Sequence, residues 1–503
     1  ADDPAVRAIG LHIEGLQDIP RFERAALKAL SKGIPVVVLK TGSSSIGSEL
    51  TVSHTGSLSG SVELYEALFT RVGIISVSNP SQFLETLKLL CVVGAPKGQN
   101  LVGFTCSGGG ATMLADHAEK IGLSFPIIDP VQKNALTTLL PTIATVSNPL
   151  DYTTPIWGQA DMTYPVFSKA ISAVAADAAV LVQDYPAEGL DSSKVFYQTD
   201  AIAFAQAAKE QGLPAIICAT LPENLDEKTR EFLISEGVAP MQGIHETLNA
   251  VCSAASWFQE RSRILSAGTV ALLPSWEVGE TVMLTEHEGK QWLAAKGIAV
   301  PKCRLVPSKQ LGAAASEVGY PVVLKMISPL LAHKTEAGAV VLNLKEENAV
   351  SNAAVHMTAD VFTYNPRAVT DQFLVEPMLD KPLAELIINL RTDPQFGAAL
   401  VLGSGGILVE LLADAVTLLL PATPSDIVRA IKALRVSALL EGFRGQKKAD
   451  FRKIGMEIHQ LCVAYLEEQK SIAEIEINPL FAYQDHVCAV DALLYKRLPI
   501  SKG

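Results

Sequence analysis

Short apolar segments rich in Val, Ile and Leu alternate with helical segments through the first half of the chain. The clearest of them is Ile34 to Lys40 (IPVVVLK), whose β-branched residues predict a strand buried in a parallel sheet. A polar break follows at Pro96 to Gln99, and the alternation then starts again with LVGFTC from Leu101 to Cys106. Such alternation is typical of doubly wound α/β sheets. The sequence therefore predicts two α/β domains, at residues 1–96 and 97–263.

The pattern changes after residues 264–281, which are rich in small side chains and predict a linker. Beyond them strands and helices alternate less regularly, as expected for an α+β domain over residues 282–503. This domain begins with a predicted helix from Thr285 to Lys296, in which Thr285 and Glu288 form a capping-box pattern.

Charge, cysteines and hydropathy restrict the classes of function. The 503 residues carry a net charge of −12, whereas a nucleic-acid partner requires an excess of cations. The 7 cysteines are far apart and lie mostly in apolar segments, as in proteins of a reducing cytoplasm. No apolar run reaches the roughly 20 residues that cross a bilayer. We therefore expect a cytoplasmic protein whose partners include neither nucleic acid nor a membrane.

A segment rich in Gly and Ser, from Lys40 to Gly60, contains one histidine, His54, in Ser-His-Thr-Gly-Ser. Small residues allow backbone N–H groups to approach a phosphate closely. An imidazole without apolar neighbours is accessible, so His54 is a candidate nucleophile that carries a phosphoryl group. A solvated loop histidine that caps a helix through Ser53 or Thr55 fits the same residues.

Two segments of the C-terminal domain suggest a nucleotide site. The apolar strand Pro321 to Lys325 ends on a cation that could face phosphates, although a strand-end lysine is more often solvated. The segment FLVEPM, which contains Glu376, has the layout of a strand whose backbone pairs with adenine. An ordinary strand end fits that segment equally well.

The motif EINPL, at Glu476 to Leu480, suggests a metal site. Alternation along a strand places Glu476 and Asn478 on one face, and Asp491 lies on a predicted hairpin partner. An amide oxygen beside a carboxylate suits Mg²⁺ that already carries phosphates. A surface strand with a turn at Asn478-Pro479 is the alternative.

Together these segments resemble the ADP-forming acyl-CoA synthetases, relatives of succinyl-CoA synthetase. The resemblance covers nearly the whole chain and includes SHTGS, NPLD at Asn148–Asp151, the segment Asp393–Asp414 and LLEGFRG at Leu439–Gly445. It implies two flavodoxin-like, doubly wound parallel-sheet domains followed by an α+β ATP-grasp domain. The implied enzyme is an acid–thiol ligase (EC 6.2.1) similar to ADP-forming acetate–CoA ligase. It would use ATP, Mg²⁺ and coenzyme A and form a phosphohistidine.

The resemblance also assigns roles to residues. It makes His54 the phosphorylated histidine, which visits one site for ATP and another for the acyl group. We call these two sites stations, and the resemblance makes Glu14 and Glu476 the carboxylates that hold His54 at them. A carboxylate on one ring nitrogen fixes the tautomer and leaves the other nitrogen able to attack phosphorus. His333 in LLAHKTEAGAV matches a further phosphate relay, although Thr335 and Glu336 stand where the family has Ser and Asp.

The remaining implied residues hold substrates. Lys325 and Glu376 belong to the ATP site, and Asn478 and Asp491 to its Mg²⁺. The turn Ser107-Gly108-Gly109-Gly110 would place a helix N-terminus against the phosphohistidine, where N–H groups stabilise an anion by roughly 0.3–2 kcal/mol. An ordinary Gly-rich turn is the alternative.

Because the chain opens abruptly on an apolar strand, we expect that the CoA-binding domain of the family precedes residue 1. The protein would then be a homo-oligomer or pair with a CoA-binding domain or subunit.

The acid itself is not specified by the sequence. Trp157, near NPLD, suits an aromatic wall or a cation-binding face, which adds hydroxycinnamates and dimethylsulfoniopropionate (in an ATP-dependent lyase) to acetate and other short acids. A plain core tryptophan is the simpler interpretation.

Rival functions are a non-catalytic regulatory module and an ATP-grasp ligase that makes amide bonds. Regulatory relatives tend to lose the phosphorylated histidine, so the presence of His54 and Glu476 argues against the first rival. An amide-forming ligase would need no phosphohistidine, so a phosphorylation assay separates it from the acyl-CoA synthetase.

Overall fold

The structure is a computed structural model that describes residues 1–42, 61–187, 189–190, 192–268, 271–272, 279–331, 334–405, 414–445 and 447–498. These residues form two compact units. Apart from those gaps, the first unit contains residues 1–17, 21–42 and 69–268, and the second contains residues 18–20, 61–68 and 271–498.

The first unit is built from parallel strands and the helices that connect them. Its strands are β1 (Ile9–Ile13), β2 (Val36–Lys40), β3 (Ile75–Val77), β4 (Leu101–Thr105), β5 (Leu150–Asp151), β6 (Ala178–Val182), β7 (Ala215–Ala219) and β8 (Val238–Gln242). Its helices are α1 (Ile19–Ser31) and α2 (Val62–Val72), both shared with the second unit, α3 (Pro80–Val92), α4 (Gly108–Lys120), α5 (Pro130–Thr137), α6 (Ala160–Ser172), α7 (Lys194–Glu210), α8 (Glu227–Ser235) and α9 (Ile244–Ala267).

Strands β1, β2 and β3 form a three-stranded parallel sheet in that order. Ile13 pairs with Lys40, so β1 and β2 end at the same edge of the sheet. The strand predicted in Ile34–Lys40 is confirmed at Val36–Lys40, and four of its five residues are buried. Glu14 and Thr41 follow the ends of these two strands, which places the predicted carboxylate beside the start of the segment that contains His54.

The larger parallel sheet has the order β5-β4-β6-β7-β8. The chain passes from β4 outward to β5 and then returns to β6 on the other side of β4, which is the flavodoxin-like order with its switch point between β4 and β6. Strands β4, β6 and β7 are buried along their whole length because helices cover both faces. Ligands of such sheets bind beyond the carboxyl ends of the strands at the switch point.

Helix α9 extends further than the sequence pattern suggests. It runs to Ala267, so the first four residues of the predicted linker are helical. The reason is packing, because Ile264 is buried in the core of the first unit and holds this turn in place.

The second unit contains antiparallel sheets. Its strands are β9 (Thr281–Met283), β10 (Arg304–Val306), β11 (Val322–Met326), β12 (Val340–Leu344), β13 (Phe373–Pro377), β14 (Ala384–Asp393), β15 (Gly397–Ser404), β16 (Ala415–Leu419), β17 (Ile472–Ala482), β18 (Val487–Ala489) and β19 (Ala492–Arg497). Its helices are α10 (Glu286–Ala295), α11 (Leu311–Val318), α12 (Glu347–Tyr364), α13 (Pro424–Ala433), α14 (Ser437–Leu440) and α15 (Phe451–Glu468).

One sheet has the order β10-β13-β11-β12, and the other has the order β16-β15-β14-β17-β19-β9, with β18 also paired to β17. Burial alternates along β14 and the first half of β17, so one face of the larger sheet packs on the core and the other carries polar side chains. Asn389, Glu474 and Glu476 belong to this polar face. The capping box predicted at Thr285 and Glu288 is confirmed, with both of its hydrogen bonds present.

The seven cysteines are free thiols, as expected from their spacing. Among the helices in the described ranges, none combines the length and hydropathy that crossing a lipid bilayer requires.

Candidate functional site

The second unit buries a cluster of six charged side chains, which we call the charge cluster. It consists of three lysines and three carboxylates: Lys290, Lys325, Lys334, Glu286, Glu376 and Asp491. Glu286 and Lys290 lie one turn apart on α10, Lys325 on β11 and Glu376 on β13, while Asp491 immediately precedes β19. The cluster thus connects the small sheet, the large sheet and the first helix of the unit.

Glu286 is the centre of the charge cluster. Its carboxylate lies 2.8 Å from the Lys290 Nζ, 2.6 Å from the Lys325 Nζ and 3.2 Å from the Lys334 Nζ. Burial alone would raise the pKa of this carboxyl, but the ammonium groups of Lys325, Lys290 and Lys334 hold the pKa of Glu286 well below its usual range. Glu286 is therefore ionised at any physiological pH.

Lys325, predicted to face nucleotide phosphates, is buried rather than solvated. Its Nζ donates to Glu286 at 2.6 Å and to the carbonyl of Val490 at 2.9 Å, and lies 3.1 Å from Glu376 Oε2. Burial would lower its pKa, but Glu286 and Glu376 raise the pKa of Lys325 above its usual value. Its three donor positions are occupied, so a phosphate can bind this ammonium only in exchange for one of these partners.

Glu376, predicted from the adenine-type segment, has its side chain in the same cluster. Its carboxylate accepts from Lys290 and lies beside Lys325, and it is 2% exposed. The Glu376 side chain therefore holds the two lysines. Backbone contact of this segment with adenine stays a prediction.

The predicted metal ligands are neighbours through their backbones. The N–H of Asn478 donates to the carbonyl of Asp491 at 3.2 Å, and the Asn478 side chain is exposed. Asp491 precedes β19 instead of lying within a strand, because the residues after Val490 turn to pair a second time with β17. In the described part of the chain no three His, Cys, Asp or Glu side chains form a group that could bind a metal. An amide oxygen and a carboxylate are hard-oxygen donors of the kind that suits Mg²⁺ carrying phosphate oxygens.

Glu476 lies on the polar face of β17, half-buried, opposite Asn389 on β14 and Leu493 on β19. Burial raises the pKa of Tyr495 on the same face, with Glu474 and Glu476 adding to the effect. His333 and His54 lie outside the described residues.

Three members of the charge cluster were not predicted from the sequence: Glu286, Lys290 and Lys334. A signal for two of them exists, because Glu286 and Lys290 share one face of α10 with the buried Gly289 and Leu293. Charged residues on an apolar helix face require oppositely charged partners that offset the free-energy cost of removing them from water. Lys334 carries no comparable signal, since its burial depends on residues far away in the sequence.

In the first unit, Glu14 is exposed immediately after β1. The Thr41 N–H donates to the carbonyl of Ile13 at 3.0 Å, so Glu14 lies at the strand edge from which the His54 segment departs. Burial lowers the pKa of Lys40, whereas the Glu14 carboxylate acts to raise it.

The turn Ser107 to Gly110 lies at the switch point of the larger sheet and begins helix α4. Ser107, Gly108 and Gly109 are exposed, and the first turn of the helix contains neither a side-chain cap nor an acidic residue, although Asp151 Oδ2 lies 3.6 Å from where a Cβ on Gly108 would be. The first N–H groups of the helix lack acceptors within it and are a general site for an anion, which here would lie beside the Asp151 carboxylate. Gly110 is buried against Thr105, where a Cβ would come within 2.6 Å of Thr105 Oγ1.

The loop after β5 lies at the same carboxyl edge. Thr153 has a φ of 69°, which is uncommon for a residue other than glycine and costs conformational energy. Thr153 Oγ1 and Trp157 Nε1 are buried and have no hydrogen-bond partner among the described residues. Trp157 packs in an aromatic cluster, 4.7 Å from the ring of Tyr197 and 5.4 Å from that of Phe196. A polar ligand or an ordered water would satisfy these two donors.

Asp200 holds this loop in place through three hydrogen bonds. Its carboxylate accepts from the Tyr152 hydroxyl at 3.0 Å, from the Gly158 N–H at 3.1 Å and from Thr163 Oγ1 at 3.1 Å. Burial raises the pKa of Asp200 to about 6 despite these hydrogen bonds.

Comparison with known families matches both units. The sequence model of the ATP-grasp domain matches residues 277–495, and that of the succinyl-CoA ligase like flavodoxin domain matches residues 1–90. The chain is 36% identical over 211 residues to the beta subunit of acetate–CoA ligase [ADP-forming] I from Pyrococcus furiosus, which covers 42% of this chain and 90% of that subunit. The chain belongs to the family of ADP-forming acyl-CoA ligases.

A second relative is similar along nearly the whole chain. This is a trans-feruloyl-CoA synthase from an unknown prokaryotic organism, 27% identical over 504 residues, which cover 98% of this chain and 69% of the relative. Among solved structures, the dinucleotide-forming acetyl-coenzyme A synthetase 1 of Ca. Korarchaeum cryptofilum in complex with coenzyme A is 34% identical, with a TM-score of 0.41. The match covers 43% of this chain and 94% of that chain.

Membership confirms the predicted family, the fold class of flavodoxin-like units with an ATP-grasp domain, and the reaction class of an ADP-forming acid–thiol ligase. ATP, Mg²⁺ and CoA belong to this chemistry at the level of the family. The roles of individual residues, the domain boundaries, the acid and the cytoplasmic localisation stay predictions.

Proposed function

We propose that this ADP-forming ligase joins a carboxylic acid to CoA through a phosphohistidine at His54, with Glu476 and Glu14 as its two stations. The observation that carries the proposal is the charge cluster of the second unit. It places the Lys334 ammonium 2.9 Å from Asp491 and the Lys325 ammonium on the carbonyl of the preceding residue, Val490, in the part of the chain that matches the ATP-grasp domain. Such an arrangement suits the phosphates of ATP and their metal ion.

At the first station, Asn478 and Asp491 would hold Mg²⁺, which withdraws charge from the phosphate oxygens. Lys325 and Lys334 neutralise the phosphates once they exchange their carboxylate partners. Glu476 accepts the N–H of one ring nitrogen of His54. The other nitrogen attacks the γ-phosphorus, and the bond to the departing ADP oxygen breaks. His333 is a candidate relay along this route.

At the second station, Glu14 holds the phosphohistidine and the N–H groups of Gly108 and Gly109 receive the phosphoryl oxygens. A carboxylate oxygen of the acid attacks phosphorus, the P–N bond breaks, and an acyl phosphate forms. The CoA thiolate then attacks the acyl carbon and phosphate leaves. The unpartnered donors Thr153 Oγ1 and Trp157 Nε1 are our candidates for the groups that orient the acid's carboxylate.

A phosphorylation assay tests this proposal. Incubation with Mg²⁺ and γ-³²P-labelled ATP should leave label on the chain that acid removes and base does not, because a P–N bond is acid-labile. His54→Ala should remove the label. Absence of label on the wild type, or full label on His54→Ala, would refute the proposal.

The acid and the CoA partner require a second experiment. We infer a partner in the form of a CoA-binding domain or subunit, or a homo-oligomer, because the P. furiosus relative is a separate beta subunit. A screen of acetate, other short acids, hydroxycinnamates and dimethylsulfoniopropionate with CoA and ATP should show which acid forms a thioester.

A further inference from the structure

The three lysines of the charge cluster differ in the carboxylates that they contact. Lys290 and Lys325 each contact both Glu286 and Glu376. Lys334 contacts Glu286 at 3.2 Å and Asp491 Oδ1 at 2.9 Å. In the described part of the chain, Lys334 is thus the lysine whose ammonium lies on the proposed metal ligand.

The burial of these groups makes this contact important. The Lys334 side chain is 4% exposed, whereas the Asp491 side chain is 26% exposed and so is accessible from one side. An ammonium that is removed from water requires an anion beside it, and a buried carboxylate requires a cation. As the structure stands, Lys334 and Asp491 satisfy each other.

A metal ion on Asp491 disturbs this balance. A divalent cation bound to the Asp491 carboxylate would lie within a few ångströms of the Lys334 ammonium, and like charges at that distance repel strongly away from bulk water. The two cations therefore compete for the carboxylate, unless a further anion enters with the metal. The phosphates of a nucleotide are such an anion.

We propose that Lys334 is a positioning residue that neutralises Asp491 when no metal is present and releases it when Mg²⁺ and a nucleotide bind together. The Lys334 ammonium then contacts a phosphate oxygen, and Asp491 is available to the metal. This inference rests on the proposed function, which assigns Asp491 to Mg²⁺ and the charge cluster to ATP. Its consequence is that Asp491 binds metal only together with a nucleotide, which prevents capture of metal by the empty site.

The test measures binding of Mn²⁺, a spectroscopic substitute for Mg²⁺, to the full chain by the EPR signal of the unbound ion. The wild type should bind Mn²⁺ weakly alone and at least about tenfold more tightly with a non-hydrolysable ATP analogue. Lys334→Met should bind Mn²⁺ alone about tenfold more tightly than the wild type, because Asp491 has lost its cation. The same variant should bind the nucleotide–Mn²⁺ complex more weakly.

Lys290→Met is the matched control, since it removes a buried lysine of the same cluster whose described contacts are Glu286 and Glu376. It should not gain affinity for Mn²⁺ alone. The double variant Lys334→Met/Asp491→Asn should lose the gain. An equal gain in Lys290→Met, or a gain that persists in the double variant, overturns the proposal because general negative charge would then explain it.

The measurement on the wild type decides the question even if Lys334→Met fails to fold. Tight binding of Mn²⁺ to the wild type without a nucleotide overturns the proposal. This titration involves neither phosphoryl transfer nor His54, so its failure is distinguishable from a failure of the phosphohistidine assay.

Discussion

Asp200 is a single residue whose protonation should make the free energy of unfolding depend on pH. It is fully buried, and its carboxylate holds together Tyr152, Gly158 and Thr163 around the strained loop after β5. Burial raises the pKa of Asp200 to about 6 from the ordinary value of 3.8. The folded state therefore binds a proton on this group more tightly than the unfolded state does.

The sign of the resulting pH dependence follows from this shift. A raised pKa in the folded state stabilises the fold fully below pH 3.8, and this contribution is lost as the pH rises through 6. A difference of two pKa units corresponds to about 3 kcal/mol. The free energy of unfolding of the wild type, relative to Asp200→Asn, should therefore fall by about 2–3 kcal/mol between pH 4 and pH 7.

Urea unfolding followed by circular dichroism at a series of pH values checks this prediction. Asp161→Asn, which removes an exposed carboxylate from α6, serves as the control and should show no comparable change. A constant difference between wild type and Asp200→Asn across the whole range would contradict the raised pKa.

The residue scale also shows where sequence reasoning ends. Glu476, Asn478 and Asp491 were found because alternation and a hairpin bring them together over a short distance in the sequence. Lys334 meets Asp491 only through packing between segments 157 residues apart. Helix and strand propensities and hydrophobic periodicity do not predict contacts between residues so far apart in the sequence. The charge cluster therefore could not be predicted as a whole.

At the scale of elements, strands that are buried on both faces were the most predictable. The continuous apolar segments Ile34–Lys40 and Leu101–Cys106 were predicted as strands, and the observed strands Val36–Lys40 and Leu101–Thr105 agree with those bounds to within two residues. Strand β19 was not predicted, because its half-buried pattern ALLYKR mixes apolar and charged residues. Its pairing with β17 is decided by the sheet and not by its own composition.

Helix α4 offers a prediction at this scale, because its glycines differ in their surroundings. A Cβ on Gly110 would lie 2.6 Å from Thr105 Oγ1, whereas a Cβ on Gly109 would lie 3.7 Å from its nearest neighbour, Ser107 Oγ. Gly110→Ala should therefore destabilise the first unit by about 1–3 kcal/mol through overpacking. Gly109→Ala should be neutral or stabilising, by up to about 1 kcal/mol of helix propensity.

Thermal unfolding of the two single variants beside the wild type tests this difference. The two substitutions have identical chemistry at adjacent positions, so each is the control for the other. Equal loss of stability in both would mean that the close approach of α4 to β4 is not what requires glycine at Gly110.

At the scale of the whole molecule, the two proposed stations lie in different units. Glu14 belongs to the first unit, with the parallel sheets and the N-terminus of α4, and Glu476 belongs to the second unit, with the charge cluster. Each unit has its own hydrophobic core. The arrangement predicts that the two half-reactions of His54 can be separated by substitution.

The last prediction is this separation. Glu476→Gln should lose labelling of His54 by ATP, because the ring is no longer oriented at the nucleotide, but should keep labelling by ³²P-acetyl phosphate. Glu14→Gln should show the reverse pattern, with labelling by ATP retained and labelling by acetyl phosphate lost. Loss of an orienting hydrogen bond of this kind reduces such rates by about 10²- to 10⁴-fold, which radiolabelling resolves easily.

Because the two variants make the same chemical change, each controls for the other. If either substitution abolished both labelling reactions equally, the two carboxylates would act at a single station. The assignment of one carboxylate to each unit would then be wrong.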